Sequence, residues 1–201
     1  INRNSIRDKV TFFLHTTFTT SKDDGTGAST YYFDHLKLLE FYSNKSLKEL
    51  SKKITLDNAM LLYLDNTTNN AGNPNENFAR EFLELFTIGK GEQVGDGDYT
   101  NYTETDVQQA ARVFSGFKTK LDRSIIDPDT NIPMGRTNIN QHDSGDKQFS
   151  SAFNNYIVTG SETSEGMFEE INQLVDMIFS QQATALNLSL IHISEPTRPE
   201  D

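Results

Sequence analysis

Asn75-Glu76-Asn77-Phe78-Ala79-Arg80-Glu81-Phe82-Leu83-Glu84-Leu85-Phe86 carries the strongest helical pattern in the chain. Phe78, Phe82 and Leu85 recur at helical spacing, with Ala79 and Phe86 beside them. Glu76, Arg80 and Glu84 are spaced i, i+4, i+8, so the pattern predicts one polar line along a continuous helix, with Glu81 next to it. Asn73-Pro74 upstream reads as a cap followed by the first helical position. Gly89 downstream suits the left-handed residue that ends a helix. An Arg held between two carboxylates can orient one of them as a base, or bind an anion. The same residues also make an intrahelical ion ladder, worth only ~0.2–0.5 kcal/mol per pair.

Working outward, helical signals dominate on both sides. Ser5-x-x-Asp8 reads as a capping box ahead of Val10, Phe13, Leu14 and Phe18. Ser21–Ser29 is a loop by composition, and Thr30 is placed to cap a helix carrying Tyr32, Leu36, Leu39 and Phe41. Ser46-x-x-Glu49 reads as a second capping box, and Asp57 as the cap of a short helix with Met60, Leu61 and Leu64. The polar run Asn66–Gly72 reads as a loop. Thr103-x-x-Asp106 opens a helix through Phe117. Residues 118–147 lose all periodicity and read as a loop far longer than the usual connection. Tyr156-Ile157-Val158-Thr159 is β-prone and predicts one short strand or hairpin. A last helix spans 165–182, with Phe168, Ile171, Leu174, Val175 and Ile178 on one face. The expected fold is mainly α: an irregular multi-helix array with one long loop and a small β-strand or hairpin element.

Composition narrows the function. The 201 residues carry a formal net charge of −11 and contain no Cys. Disulfides, Cys-type zinc sites and thiol catalysis are thereby excluded. The acidic balance argues against nucleic acid as a partner, because neutralising phosphates takes clustered Lys and Arg. No apolar run approaches the roughly 18 residues of a membrane span, so no span is expected. No charged-then-apolar leader opens the chain, and the first residue is Ile1. Leu188 to Arg198 resembles a translated sequencing adapter. The expected division is therefore a helical domain over 1–187, truncated at both ends, and a non-native tail over 188–201.

Outside the Arg80 stretch, His142-Asp143-Ser144-Gly145-Asp146-Lys147 stands out. A His beside an Asp can join a metal site or act as a general base. The candidate catalytic residues are Arg80, Glu81, Glu84, His142 and Asp143. The candidate binding residues are Asn75, Glu76, Arg80 and Lys147. His15 and His142 are the histidines considered as metal ligands, although no metal site is expected and no cofactor is predicted. Asp127-Pro128-Asp129-Thr130-Asn131 and Asp96-Gly97-Asp98 imitate calcium loops, but neither completes the ligand pattern. Phosphate-binding glycine loops, nucleophile elbows and His-Glu-x-x-His zinc motifs are absent from the sequence.

Several segments, in order, resemble the bacterial domain-of-unknown-function (DUF) 1800 family. They are Met60 to Asn66, Asn75 to Gly89, Tyr102 to Val107, Ala111 to Phe117, and His142-Asp143-x-Gly145-x-Lys147. The resemblance spans nearly all of residues 5–186. It implies an uncharacterised protein longer than this chain, exported to the periplasm or cell envelope. It also implies, as a partner, a sulfatase-like protein encoded alongside. Members often carry Trp-His-Asn-His-Phe where Leu14-His15-Thr16-Thr17-Phe18 stands, and many carry His in place of Phe86. Two readings remain open. One is a helical structural or binding module that presents the 118–147 loop. The other is a hydrolase-like enzyme using a Glu/Arg/His/Asp cluster. An approach of His142 to Glu81 or Arg80 inside a cleft favours the enzyme.

Overall fold

A computed structural model describes residues 5–23 and 28–193. Within them lie eight α-helices: α1 (Ile6–Thr17), α2 (Ala28–Tyr42), α3 (Leu47–Ile54), α4 (Asn58–Tyr63), α5 (Asn77–Glu81), α6 (Glu104–Val113), α7 (Ser164–Phe179) and α8 (Gln182–Ile193). Two antiparallel strand pairs join them. β1 (Phe117–Lys118) pairs with β2 (Arg136–Thr137), and β3 (Lys147–Gln148) pairs with β4 (Ile157–Val158). The protein is mainly α, as the periodicity predicts. No described helix is long and apolar enough to cross a membrane.

The helix starts follow their capping chemistry. The Ser5 and Thr103 hydroxyls each accept a backbone N–H, from Asp8 and Asp106, and those carboxylates accept the Ser5 and Thr103 N–H groups in return. Asp57 caps α4 through Met60 N. Ser46 accepts from Glu49 N and caps α3. Two expected caps differ. Thr30 lies inside α2, which begins at Ala28. Pro74 stays outside α5, and the Asn75 side chain accepts from Asn77 N at 3.0 Å instead.

The central helix is not continuous. α5 stops at Glu81, and Phe82–Phe86 form a wider π-helical turn. The Thr87 hydroxyl donates to Phe82 O at 2.6 Å, and Gly89 N donates to Leu83 O at 2.9 Å. A π turn inserts backbone, so side chains after it rotate away from the straight 3.6-residue line. Glu84 accordingly leaves the Glu76–Arg80 face.

Phe78, Phe82 and Phe114 pack in edge contacts at the centre, with ring centroids 4.9 and 5.1 Å from Phe114. Val107, Ala110 and Ala111 of α6 and Ile171, Leu174 and Ile178 of α7 close over them. Each of these apolar side chains is buried, which supplies ~1.5–3 kcal/mol per large side chain.

The aperiodic 118–147 segment is anchored throughout. Arg123 forks onto Asp34 at 2.8 Å through two nitrogens. Lys118 Nζ donates to the carbonyls of Thr67 and Asn69, at 2.6 and 3.1 Å. Lys53 bridges Asp127 and Asp129, each at 2.6 Å. The β1–β2 pair, unexpected from sequence, joins the start of this segment to residues 136–137 within it. α8 is also additional: Asn187 Nδ2 donates to Thr87 O at 2.9 Å and clasps the end of the π turn. The tail expected over 188–201 overlaps α8 as far as Ile193, while residues 194–201 lie outside the described residues.

Gly89 sits at φ +73°, and a Cβ there would lie 2.6 Å from Asn187 Oδ1. Gly89→Ala is therefore expected to lower stability by roughly 1–3 kcal/mol, read as an earlier thermal or urea midpoint. An unchanged midpoint contradicts the clasp.

Candidate functional site

The polar residues picked out by sequence separate into distinct clusters. The first surrounds Arg80. Its guanidinium donates to Glu104 Oε2 and Oε1 at 2.9 and 2.6 Å, and to Glu76 Oε2 at 3.2 Å. All three side chains are about a third exposed. Arg80 is thus held between two carboxylates as expected, but its second partner is Glu104 from α6 rather than Glu84. Burial, and then Glu104, raise the Glu76 carboxyl above its ordinary range, while the Arg80 bond lowers that of Glu104.

Glu84 belongs to a second cluster. The Lys90 ammonium lies 2.6 Å from Glu84 Oε1, and the Tyr102 hydroxyl donates to Glu84 Oε2 at 3.4 Å. Burial, and then Glu84, push the Tyr102 hydroxyl well above its ordinary value. Asn75 serves the backbone: its side chain reaches Asp65 O and Thr68 Oγ1 as well as Asn77 N.

The third cluster is the most buried. His142, Lys147 and Glu170 have no exposed side-chain surface. Glu170 Oε1 faces His142 Nε2 at 3.0 Å and accepts Ser161 N at 2.8 Å, while Oε2 accepts Lys147 Nζ at 2.5 Å. Lys147 also donates to Asp143 O. Burial pushes the Lys147 ammonium below its ordinary value, and Glu170 opposes that shift. Both His142 nitrogens face acceptors, since Nδ1 lies 2.9 Å from Ser115 O. Both ring nitrogens are thus occupied by protein partners, and the side chain has no exposed surface. Asp143 turns the other way and accepts two bonds from Arg112, at 2.7 and 3.0 Å.

Glu170 was not a sequence candidate. Its signal was present: an acid between Met167 and Leu174 on the apolar stripe of α7. A second buried pair was also missed. His35 Nδ1 lies 2.7 Å from Asp57 Oδ2, and Nε2 lies 2.8 Å from Phe18 O. Their separation of 22 residues gives no motif. His15 packs its ring edge-on to Tyr32, and burial, then the neighbouring His35, lower its pKa. Among the described residues no three His, Asp or Glu side chains converge as a metal site. At the calcium-like Asp127 loop, the ammonium of Lys53 lies between the two carboxylates.

A family model described as "Protein of unknown function (DUF1800)" matches residues 1–190. The chain belongs to the DUF1800 family. Neither curated proteins nor solved structures give a match. The two places where this DUF1800 chain departs from the histidines implied by the resemblance, Thr17 and Phe86, line one cleft of about 410 Å³ together with Glu81. His142 and Arg80, by contrast, belong to separate clusters, and Glu81 makes no hydrogen bond to either.

Glu170→Gln strands the buried Lys147 charge and is expected to cost on the order of 3–5 kcal/mol in urea unfolding. Adding Lys147→Met should recover part of that loss. Asp143 gives a pH signature. The Arg112 bonds hold its carboxyl below the usual range, so its folded pKa lies below the unfolded value of about 3.9. Its contribution is complete above the unfolded pKa and is lost as pH falls through the folded one. The stability gap between wild type and Asp143→Asn should therefore narrow as pH drops from neutrality to below about 4.

Proposed function

We propose that this DUF1800 chain acts as a helical structural and binding module of an exported or envelope-associated bacterial protein, rather than as a hydrolase. The observation that supports this is the dispersal of the catalytic candidates. Arg80 is spent on Glu76 and Glu104, Glu84 on Lys90, Asp143 on Arg112, and His142 on Glu170 and Ser115 O. A hydrolytic site needs a nucleophile or base, an orienting partner and an oxyanion donor around one reacting atom. Here these four groups are each matched by a structural neighbour, which is how buried charge is retained in a scaffold, and Glu81 stands apart from all of them.

The anchored 118–147 segment fits the same reading. It offers a shaped surface fixed by Arg123, Lys118 and Lys53 instead of a free recognition loop. A sulfatase-like protein is the proposed partner class, and nucleic acid is disfavoured by the net charge of −11.

The reading is tested with chromogenic esters, phosphate and sulfate monoesters, glycosides and peptides at high protein concentration. Rates equal to buffer are expected. Arg80→Lys and His142→Gln should alter only the melting temperature. A turnover that disappears in Glu84→Gln or His142→Gln while the fold survives would overturn the proposal.

A further inference from the structure

The cleft that contains Glu81 differs from every other polar cluster in having a carboxylate with no partner. Glu81 comes from the end of α5, immediately before the π turn, and faces the last turn of α1 and the end of α4. Among the described residues its side chain makes no hydrogen bond or ion pair. The cations that act on it from a distance, Lys90 and Arg80, are bonded to Glu84 and to Glu76 and Glu104. Burial, and then Glu84, raise its carboxyl above the ordinary range, so the charge is partly desolvated and uncompensated.

The other polar groups of the cleft are acceptors. The Thr16 hydroxyl donates to Phe13 O at 2.7 Å and that of Thr19 to His15 O at 3.0 Å. Thr17 points its hydroxyl to Phe13 O at 3.5 Å. With their hydrogens spent on backbone, the three hydroxyls offer only lone pairs to an occupant. Thr16 and Thr17 stand on the carboxyl-terminal turn of a twelve-residue helix and Thr19 just beyond it, where the backbone dipole also favours positive charge. Tyr63 and Leu85, 40 and 49% exposed, supply an aromatic and an aliphatic wall. A π turn directly beneath is a feature often found at functional sites.

We infer that this cleft binds a primary alkylammonium group, with Glu81 as its counter-charge, the Thr16, Thr17 and Thr19 oxygens as acceptors, and Tyr63 and Leu85 against its methylenes. The volume of about 410 Å³ is in the range of small-molecule sites. The inference rests on the binding-module reading and gives it a ligand chemistry. The ammonium comes either as a free diamine or as a lysine side chain.

The test is isothermal titration and NMR chemical-shift mapping of the whole chain. The probes are 1,5-diaminopentane, Nα-acetyl-lysine amide and, as the neutral analogue, 1,5-pentanediol. Saturable binding is expected for at least one ammonium probe, with shifts at Thr17, Tyr63 and Leu85, and none for the diol. The stronger ammonium probe identifies the source. Glu81→Gln removes no intramolecular bond, so its melting temperature should be at or above wild type. Its affinity should fall at least about tenfold through loss of the charge-assisted contact. Thr17→Val is a second variant, expected to weaken binding less. Diol binding equal to that of the diamine, full affinity in Glu81→Gln, or no binding by either ammonium probe overturns the inference and leaves the module reading intact. A bound probe recovered chemically altered supports the cleft and overturns the module reading.

Discussion

A carboxylate with no exposed surface must find its positive charge inside the fold, and Glu170 finds it on segments far away in sequence. Lys147 and His142 come from the end of the long 118–147 segment, and the Ser161 N–H comes from the turn before α7. His142 carries the tie onward to Ser115 at the end of α6. One ion thus fixes the β3–β4 pair, α6 and α7 relative to each other. Desolvating these charges is costly, so removing one member is far worse than never having built the cluster. The geometry of the rest of this half follows from that constraint.

The other half uses the same device on a smaller scale. His35 joins the cap of α4 to the carbonyl that ends α1, so one imidazole sets the mutual positions of three helices. In both clusters a backbone carbonyl and a carboxylate occupy the two ring nitrogens. A histidine so used is a cross-link, and His142 of the His142-Asp143 motif is held in this way.

Much of the helical layout was legible in the sequence because it is local. Ser5, Asp57 and Thr103 cap where their side chains dictate, while Gly89 takes the expected left-handed conformation three residues past the helix end at Phe86. The π turn at 82–86 was not legible. It preserves the apolar pattern of Phe82, Leu83 and Phe86 while changing which polar residues share a face. The partnership of Arg80 with Glu104 and that of His142 with Glu170 cross 24 and 28 residues, and no periodicity encodes them. α8 escaped for a different reason. It is apolar on several sides and so lacks the amphipathic contrast that marks a helix. Among the site residues, Glu81 was visible only as a neighbour of the polar line. Its distinction, the lack of a partner, is a property of the tertiary arrangement alone.

The π turn also divides the acidic centre of the chain into two compartments. A straight helix would align Glu76, Arg80 and Glu84 so that a change at any one was felt by the others. With the turn in place, Arg80 answers to α6 and Glu84 answers to Lys90. Substitutions in the two compartments should then add with little interaction energy. Each can therefore accumulate changes on its own schedule, and the cleft at their boundary can be retuned through Glu81 without unpicking either one.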